Sequence, residues 1–268
     1  MILIEKFLAF LKKDWLNHSS YKLSFVLEIA SAFLQVLTFY FVGKLIGAGV
    51  PSLDTYGGDY FAFYLVGLIL TTYFWRGFST FGETIQSGQN TGTLEIMLAT
   101  PTKLPVILVA SSLYGFFYVT ITSVIYLLFG KFLGVNFSSA SILSTSIIFI
   151  LTVIVFLALG LISAASVLIF KRGDPILWFV GSAGTLLGGQ FFPTEMLPSW
   201  LQTVSEFIPI THSLRAARLA ILRGYDVVAL QNEILILLAF ALLFIPLSII
   251  IFKLAIRKAK KDGSLLKY

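Results

Sequence analysis

Cysteine is absent from the 268 residues. That excludes a disulfide framework, a thiolate nucleophile and any cysteine-based metal site. Histidine is almost absent: His18 and His212 are the only two, too few for a histidine-rich metal centre. Charged residues make up 12% of the chain, against about 25% in a typical soluble domain. No segment fits G-x-x-x-x-G-K-[ST], the phosphate-cradling loop of an ATPase, so ATP hydrolysis by that route is excluded. H-E-x-x-H and G-x-S-x-G are missing as well. The start of the chain has neither a pure apolar core nor a small-residue cleavage site, so no cleavable signal peptide is expected.

What the chain has instead is apolar length. It is 57% hydrophobic with a mean hydropathy of +0.93. Apolar runs recur that are long enough for a hydrocarbon core about 30 Å thick. The reading is an all-α membrane protein with six transmembrane helices, near residues 23–46, 60–81, 106–132, 140–170, 176–192 and 230–252. Residues 1–20 pair Ile2, Leu3, Ile4, Phe7, Leu8, Phe10 and Leu11 with Glu5, Lys6, Lys12 and Lys13. That pattern suits an amphipathic helix lying in the interface, and differs little from an ordinary lead-in to the first span. The fifth run is short and rich in glycine. Its Gly184 and Gly188 make a G-x-x-x-G pair, which lets helix backbones approach closely. Residues 193–229 are amphipathic, and Pro193, Pro198 and Pro209 divide them into short helices near 199–207 and 211–222.

The net charge of +6 is no argument for nucleic acid, because the basic residues flank apolar runs and read as topology determinants. Both ends of the chain are basic, so both termini are expected in the cytoplasm, which requires an even number of spans. Lys44, Lys131, Arg215, Arg218 and Arg223 then fall outside. The three arginines conflict with the positive-inside rule, and Glu195, Glu206 and Asp226 offset them locally. Reversing the segment would put the lysine-rich tail outside, a worse violation.

Residues 82–105 interrupt this pattern. The first half is polar and glycine-rich. The second half is a miniature helix: Thr93 is a candidate N-cap, Glu95 lies in the first turn, and Leu94, Met97 and Leu98 share one face. Pro101 stops it. A short capped helix with one apolar face, set between two spans, suits docking into another protein.

Polar groups inside spans are costly and often functional. Glu28 and Gln35 lie in the first span. Glu28 is either a cavity or interface carboxylate, or an interfacial residue paired with Lys22 or Arg76; its closeness to the helix end favours the second. His212 reads as a surface histidine at a helix start rather than a proton relay. Arg215, Arg218 and Arg223 share a broad helix face, read as solvated rather than as an attractor for an anionic lipid-like substrate. Tyr73, Phe74, Trp75, Trp178 and Trp200 fit interfacial belts.

The run Thr91-Gly92-Thr93-Leu94-Glu95-Ile96-Met97-Leu98-Ala99-Thr100-Pro101 between spans two and three is one motif. Phe191-Phe192-Pro193-Thr194-Glu195-Met196-Leu197-Pro198-Ser199-Trp200-Leu201, followed by Ile208-Pro209-Ile210-Thr211 and Arg223-Gly224, is another. With six spans, the whole chain resembles the permease subunits of type 2 ABC exporters. The resemblance implies a permease that dimerises, as a homodimer or with a similar permease, and works with separate ATPase subunits that carry ATP and Mg. It implies that this chain itself binds no cofactor and catalyses nothing. Residues 83–101 would be the coupling segment, with Thr91, Gly92, Thr93, Leu94, Glu95, Met97 and Leu98 at the ATPase contact. Residues 193–229 would be an outer re-entrant segment shaped by Pro193, Pro198 and Pro209. Spans one, two and five would form the dimer interface and pathway, making Glu28, Gln35, Gly184 and Gly188 candidates there. A drug-like or lipid-like, hydrophobic or amphipathic substrate is expected. The alternative is an ion-coupled secondary transporter, which calls for internal repeats, and none is visible. A membrane-embedded enzyme would need ionisable groups clustered at one depth, and the spans do not supply them.

Overall fold

The computed structural model describes residues 22–47, 50–93, 104–170 and 174–261. Every regular element among them is helical: α1 (Lys22–Ile46), the single turn α2 (Pro51–Asp54), α3 (Tyr60–Asn90), α4 (Leu104–Phe132), α5 (Ile142–Phe170), α6 (Pro175–Leu187), a 3-10 turn at Thr194–Met196, α7 (Ser199–Ser205), α8 (Pro209–Leu222) and α9 (Gln231–Lys261). Helices α1, α3, α4, α5 and α9 are long and apolar enough to cross a membrane. The expected interfacial helix at 1–20, the coupling residues Leu94, Glu95, Met97 and Leu98, and the turn at 171–173 lie outside the described residues.

Helix α3 is the hub. It is buried on most sides, whereas α1, α4 and α9 keep broad apolar faces exposed, as a bilayer solvent allows. Helix α5 lies along both α3 and α9, α4 lies along α3, and α1 leans on α4 and α3. Small residues set the closest crossing. A Cβ added at Gly160 of α5 would collide with the Gly77 carbonyl of α3, and one at Gly77 would sit 2.9 Å from the Phe156 Cβ. Around this crossing, Phe74, Phe78, Val155, Phe156, Ile210 and Leu214 form the largest apolar core.

Two expected boundaries are corrected. Helix α3 does not stop near residue 81 but continues to Asn90. The stretch read as a polar interruption is therefore largely helix: Ile85, Gly88 and Gln89 are buried, and no proline breaks the ladder. The helix ends at Thr91, whose N–H and hydroxyl both donate to the Ser87 carbonyl, and Gly92 turns the chain at φ +67°. The Thr91 and Thr93 hydroxyls meet at 2.8 Å across that turn.

The second correction concerns the fifth run. Helix α6 has 13 residues and ends at Leu187 rather than 192. At 1.5 Å per residue it is about 20 Å long, short of a bilayer core. Its start is firmly built. Pro175 sits at the first helical position, and Asp174 accepts the Leu177 N–H at 2.9 Å, the Ser166 hydroxyl at 2.8 Å and the Ser163 hydroxyl. Its end is set by Gly188, where a side chain would strike Ile210 of α8, and by Gly189 at φ +84°. The short helices near 199–207 and 211–222 are present as α7 and α8, with Pro209 at the first position of α8.

Candidate functional site

Leu68, Thr71, Thr72, Trp75, Arg76, Ser79 and Glu83 recur along α3 at spacings of three and four, so they share one face. They extend over about 22 Å of helix. This stripe lines a cavity of about 620 Å³. Helix α1 adds Gln35, α4 adds Val119 and Tyr126, α6 adds Leu177 and Thr185, and the turn after α6 adds Gln190 and Phe191. A wall of hydroxyls, amides and one ion pair among apolar helices is costly in a bilayer unless it faces water or a ligand.

The candidate Gln35 is fixed by this wall. Its Oε1 accepts the Tyr126 hydroxyl at 3.2 Å, and its Nε2 donates to the Tyr64 oxygen at 3.5 Å, which ties α1 to α4 and α3. Arg76 donates to Glu83 at 3.3 Å. It passes Gly115 of α4, where a Cβ would lie 2.9 Å from the Arg76 Cδ. The candidate Glu28 lines an adjoining cavity of about 260 Å³ with Thr72, Arg76 and Tyr126. The expected Glu28–Arg76 pair is not formed, because Arg76 turns along its own helix to Glu83. Thr71 Oγ1 and Gln190 Oε1 are buried with no hydrogen-bond partner. Beside the lining residue Phe191 lies a cluster of rings: Phe39 stacks on Tyr64 at 3.5 Å, and Phe191 lies 6.1–6.2 Å from both.

Gly184 and Gly188 are buried inside the chain. A Cβ at Gly184 would meet Phe74 of α3 and Ile210 of α8. The pair packs α6 against α3 and α8 within the chain.

The arginine helix α8 departs furthest from expectation. It is wedged between α3, α5 and α9, and Arg218 is 2% exposed rather than solvated. Its Nε donates to the Phe63 carbonyl at 3.1 Å, Nη1 to Gly189 at 2.8 Å and Nη2 to Gln190 at 3.0 Å. The guanidinium lies 3.4 Å from the Phe63 ring centroid. Gly67 leaves room for it, since a Cβ there would meet Nη2 at 2.5 Å. One residue thus fixes the turn that carries Gln190 and Phe191 into the cavity.

His212 is likewise buried, not on the surface. Its Nδ1 lies 2.6 Å from the Glu233 carboxylate of α9 and its Nε2 lies 2.8 Å from the Glu206 carbonyl. A carboxylate and a carbonyl only accept, so both ring nitrogens donate and the ring is an imidazolium. Burial works against that charge, but the Glu233 and Glu206 groups outweigh it and hold the His212 pKa above its usual value. Arg215 pairs with both Glu206 and Glu233, which completes a neutral quartet joining α7, α8 and α9. Burial opposes the Arg215 charge too, and the same two carboxylates raise its pKa above the usual value. Sequence reasoning found the Glu206 neighbour but missed Glu233, which sits 18 residues from Arg215 at the head of an apolar run. No local signal marks that pairing.

Residues 5–222 match the model of the ABC-2 type transporter family. The chain belongs to that family. It is also 25% identical over 217 residues to the inner membrane transport permease YadH of Escherichia coli K12, covering 78% of this chain and 80% of the relative. The same figures hold for the proteins of that name in Escherichia coli O157:H7 and Shigella flexneri. With five helices long and apolar enough to cross a membrane among the described residues, this ABC-2 permease is a multi-pass membrane protein and a transport subunit, of a family whose members work with an ATPase subunit. The matched region contains the whole α3 stripe, α6 and the arginine helix α8.

Proposed function

We propose that this ABC-2 permease is the membrane subunit of an ATP-driven exporter, moving a hydrophobic or amphipathic substrate with energy from a separate ATPase subunit. The observation that carries this reading is the polar stripe of α3, which lines a groove between α1, α4 and α6. The groove is half-walled, and a second copy, or a similar permease, laid against α1 and α6 completes it. Helix α6 together with 188–230 takes the chain from the end where α5 finishes to the end where α9 begins, which supports six crossings and cytoplasmic termini. Helices α7 and α8 then form the outer re-entrant pair, started by Pro198 and Pro209 and preceded by Pro193.

ATP binding draws the paired ATPases together. The segment after Thr91 is the point at which that motion enters, with Leu94, Glu95, Met97 and Leu98 on the ATPase. Helix α3 runs without a break from the Thr91 turn to the ring cluster at Tyr64. A displacement at one end is therefore carried by a rigid element to the other. The permease alternates groove access and supplies no bond chemistry of its own. Glu95→Arg and Leu94→Asp are expected to abolish substrate-stimulated ATP hydrolysis while leaving membrane insertion intact; full stimulation in both variants would remove the docking role. The broken helix α6 is the one feature that suits the ion-coupled alternative. Uptake driven by an ion gradient without nucleotide decides for that alternative.

A further inference from the structure

The groove's chemistry is unbalanced. Among the described lining residues Arg76 is the cation, set against Glu83 in the groove and Glu28 in the adjoining cavity. Glu83 is engaged by Arg76, and Glu28 makes no ion pair with a described residue. Gln190 and Thr71, 5% and 3% exposed, line the groove, and their Oε1 and Oγ1 atoms are buried in its wall without partners. The amide oxygen can only accept, and the hydroxyl oxygen accepts as readily as it donates. A buried acceptor left unpaired costs about 1–3 kcal/mol, so a ligand that brings N–H donors gains what the empty groove forgoes. Trp75 supplies a fixed aromatic wall, because a side chain at Gly181 would strike its ring. Ring faces attract cations. Excess carboxylate, orphaned acceptors and a held indole all select the same chemistry.

We infer that the groove takes a cationic amphipath, an organic ammonium carrying N–H donors on an apolar or aromatic body. Small rotations of Gln190 and Thr71 turn their buried Oε1 and Oγ1 toward the ammonium, which donates to them. The carboxylates of Glu28 and Glu83 supply the attracting field, and the body lies along Trp75. A volume of about 620 Å³ falls within the range of sites for drug-sized ligands. An anion would have to displace Glu83 from Arg76 and face Glu28, so it is disfavoured. This inference rests on the pathway reading of the groove given above.

The test uses the permease copurified with its ATPase subunit in lipid nanodiscs. Three probes share one body and differ in the head: 4-phenylbutylamine, 4-phenylbutanol and 4-phenylbutyrate. Binding is followed by tryptophan fluorescence without nucleotide, and again with ATP and vanadate. The amine is expected to bind about tenfold or more tightly than either of the others, the value of one charge-assisted hydrogen bond. Gln190→Leu and Glu28→Gln are each expected to reduce that preference at least about threefold with thermal unfolding unchanged. Preference for the carboxylate, equal binding of all three heads, or no binding of any up to millimolar concentration overturns the inference. Failure of the pathway reading looks different: the amine still binds selectively, but nucleotide leaves its affinity unchanged.

Discussion

Replacing Arg218 with methionine keeps much of the side-chain length and removes the charge. The Gly189 and Gln190 carbonyls lie beyond the end of α6, and Arg218 is their bonding partner. Leaving two buried carbonyls unpaired costs about 1–3 kcal/mol each. Losing the cation over Phe63 adds about 1–2 kcal/mol. Relief from burying a charge returns part of that, so the net is about 3–5 kcal/mol, the usual size for breaking one side of a buried charged arrangement. For a chain of this size 1 kcal/mol moves the unfolding midpoint by about 2–4 °C. The permease in nanodiscs, followed by tryptophan fluorescence on heating, is therefore expected to lose roughly 10 °C. Arg218→Lys retains charge but reaches fewer carbonyls and falls between. Hydrogen exchange locates the effect: amides of 188–193 exchange faster in Arg218→Met while those of the α3–α5 crossing stay protected. An unchanged midpoint with an unchanged turn refutes the claim that Arg218 holds that turn.

Gly160→Leu forces apart α3 and α5 where their backbones touch, and folded yield after detergent extraction is expected to fall sharply; an unchanged yield contradicts the close crossing. His212 has a raised folded pKa. Its stabilising share is therefore complete below the unfolded value of about 6.5 and is lost as pH rises through the folded value. The wild-type unfolding midpoint is expected to fall from pH 6 to 9 by more than that of His212→Gln; parallel curves contradict the imidazolium. Tyr126→Phe removes one hydrogen bond to Gln35, and a loss of about 1 kcal/mol in denaturant unfolding is expected.

Much of the architecture could be read in the chain because its signals are local. Apolar length marked the five long helices α1, α3, α4, α5 and α9, and Pro198 and Pro209 marked the starts of α7 and α8. The family resemblance stood on two runs, one of which extends outside the described residues. Other features depended on distant partners. Arg218 finds its carbonyls 155, 29 and 28 residues away, so a helix with three arginines on one face looked solvated. His212 meets Glu233 across 21 residues. Residues 82–90 read as a polar interruption between spans, yet the side chains of a long helix can turn polar without its backbone breaking. The glycines after Gly181 could mark either a continuing span or a close-packed end, and only Ile210 of α8 decides between them. Gln35 was found as a polar residue in a span, but its role as a tie between Tyr64 and Tyr126 needed the packing of three helices.

If the proposed pathway is right, the α3 groove is a water-accessible path whose access follows the ATPase cycle. The absence of cysteine makes single-cysteine labelling direct. Ser79→Cys is placed in the groove, and Val155→Cys, at a position 0% exposed, serves as the closed control. Both are made in the permease–ATPase complex in nanodiscs and exposed to a membrane-impermeant maleimide. Ser79→Cys is expected to label and Val155→Cys is not, and trapping the ATPase with ATP and vanadate is expected to change the Ser79→Cys rate by about tenfold or more, the effect of an equilibrium shift of about 1.4 kcal/mol. A Ser79→Cys rate that equals the control, or that ignores nucleotide in a complex hydrolysing ATP, contradicts it.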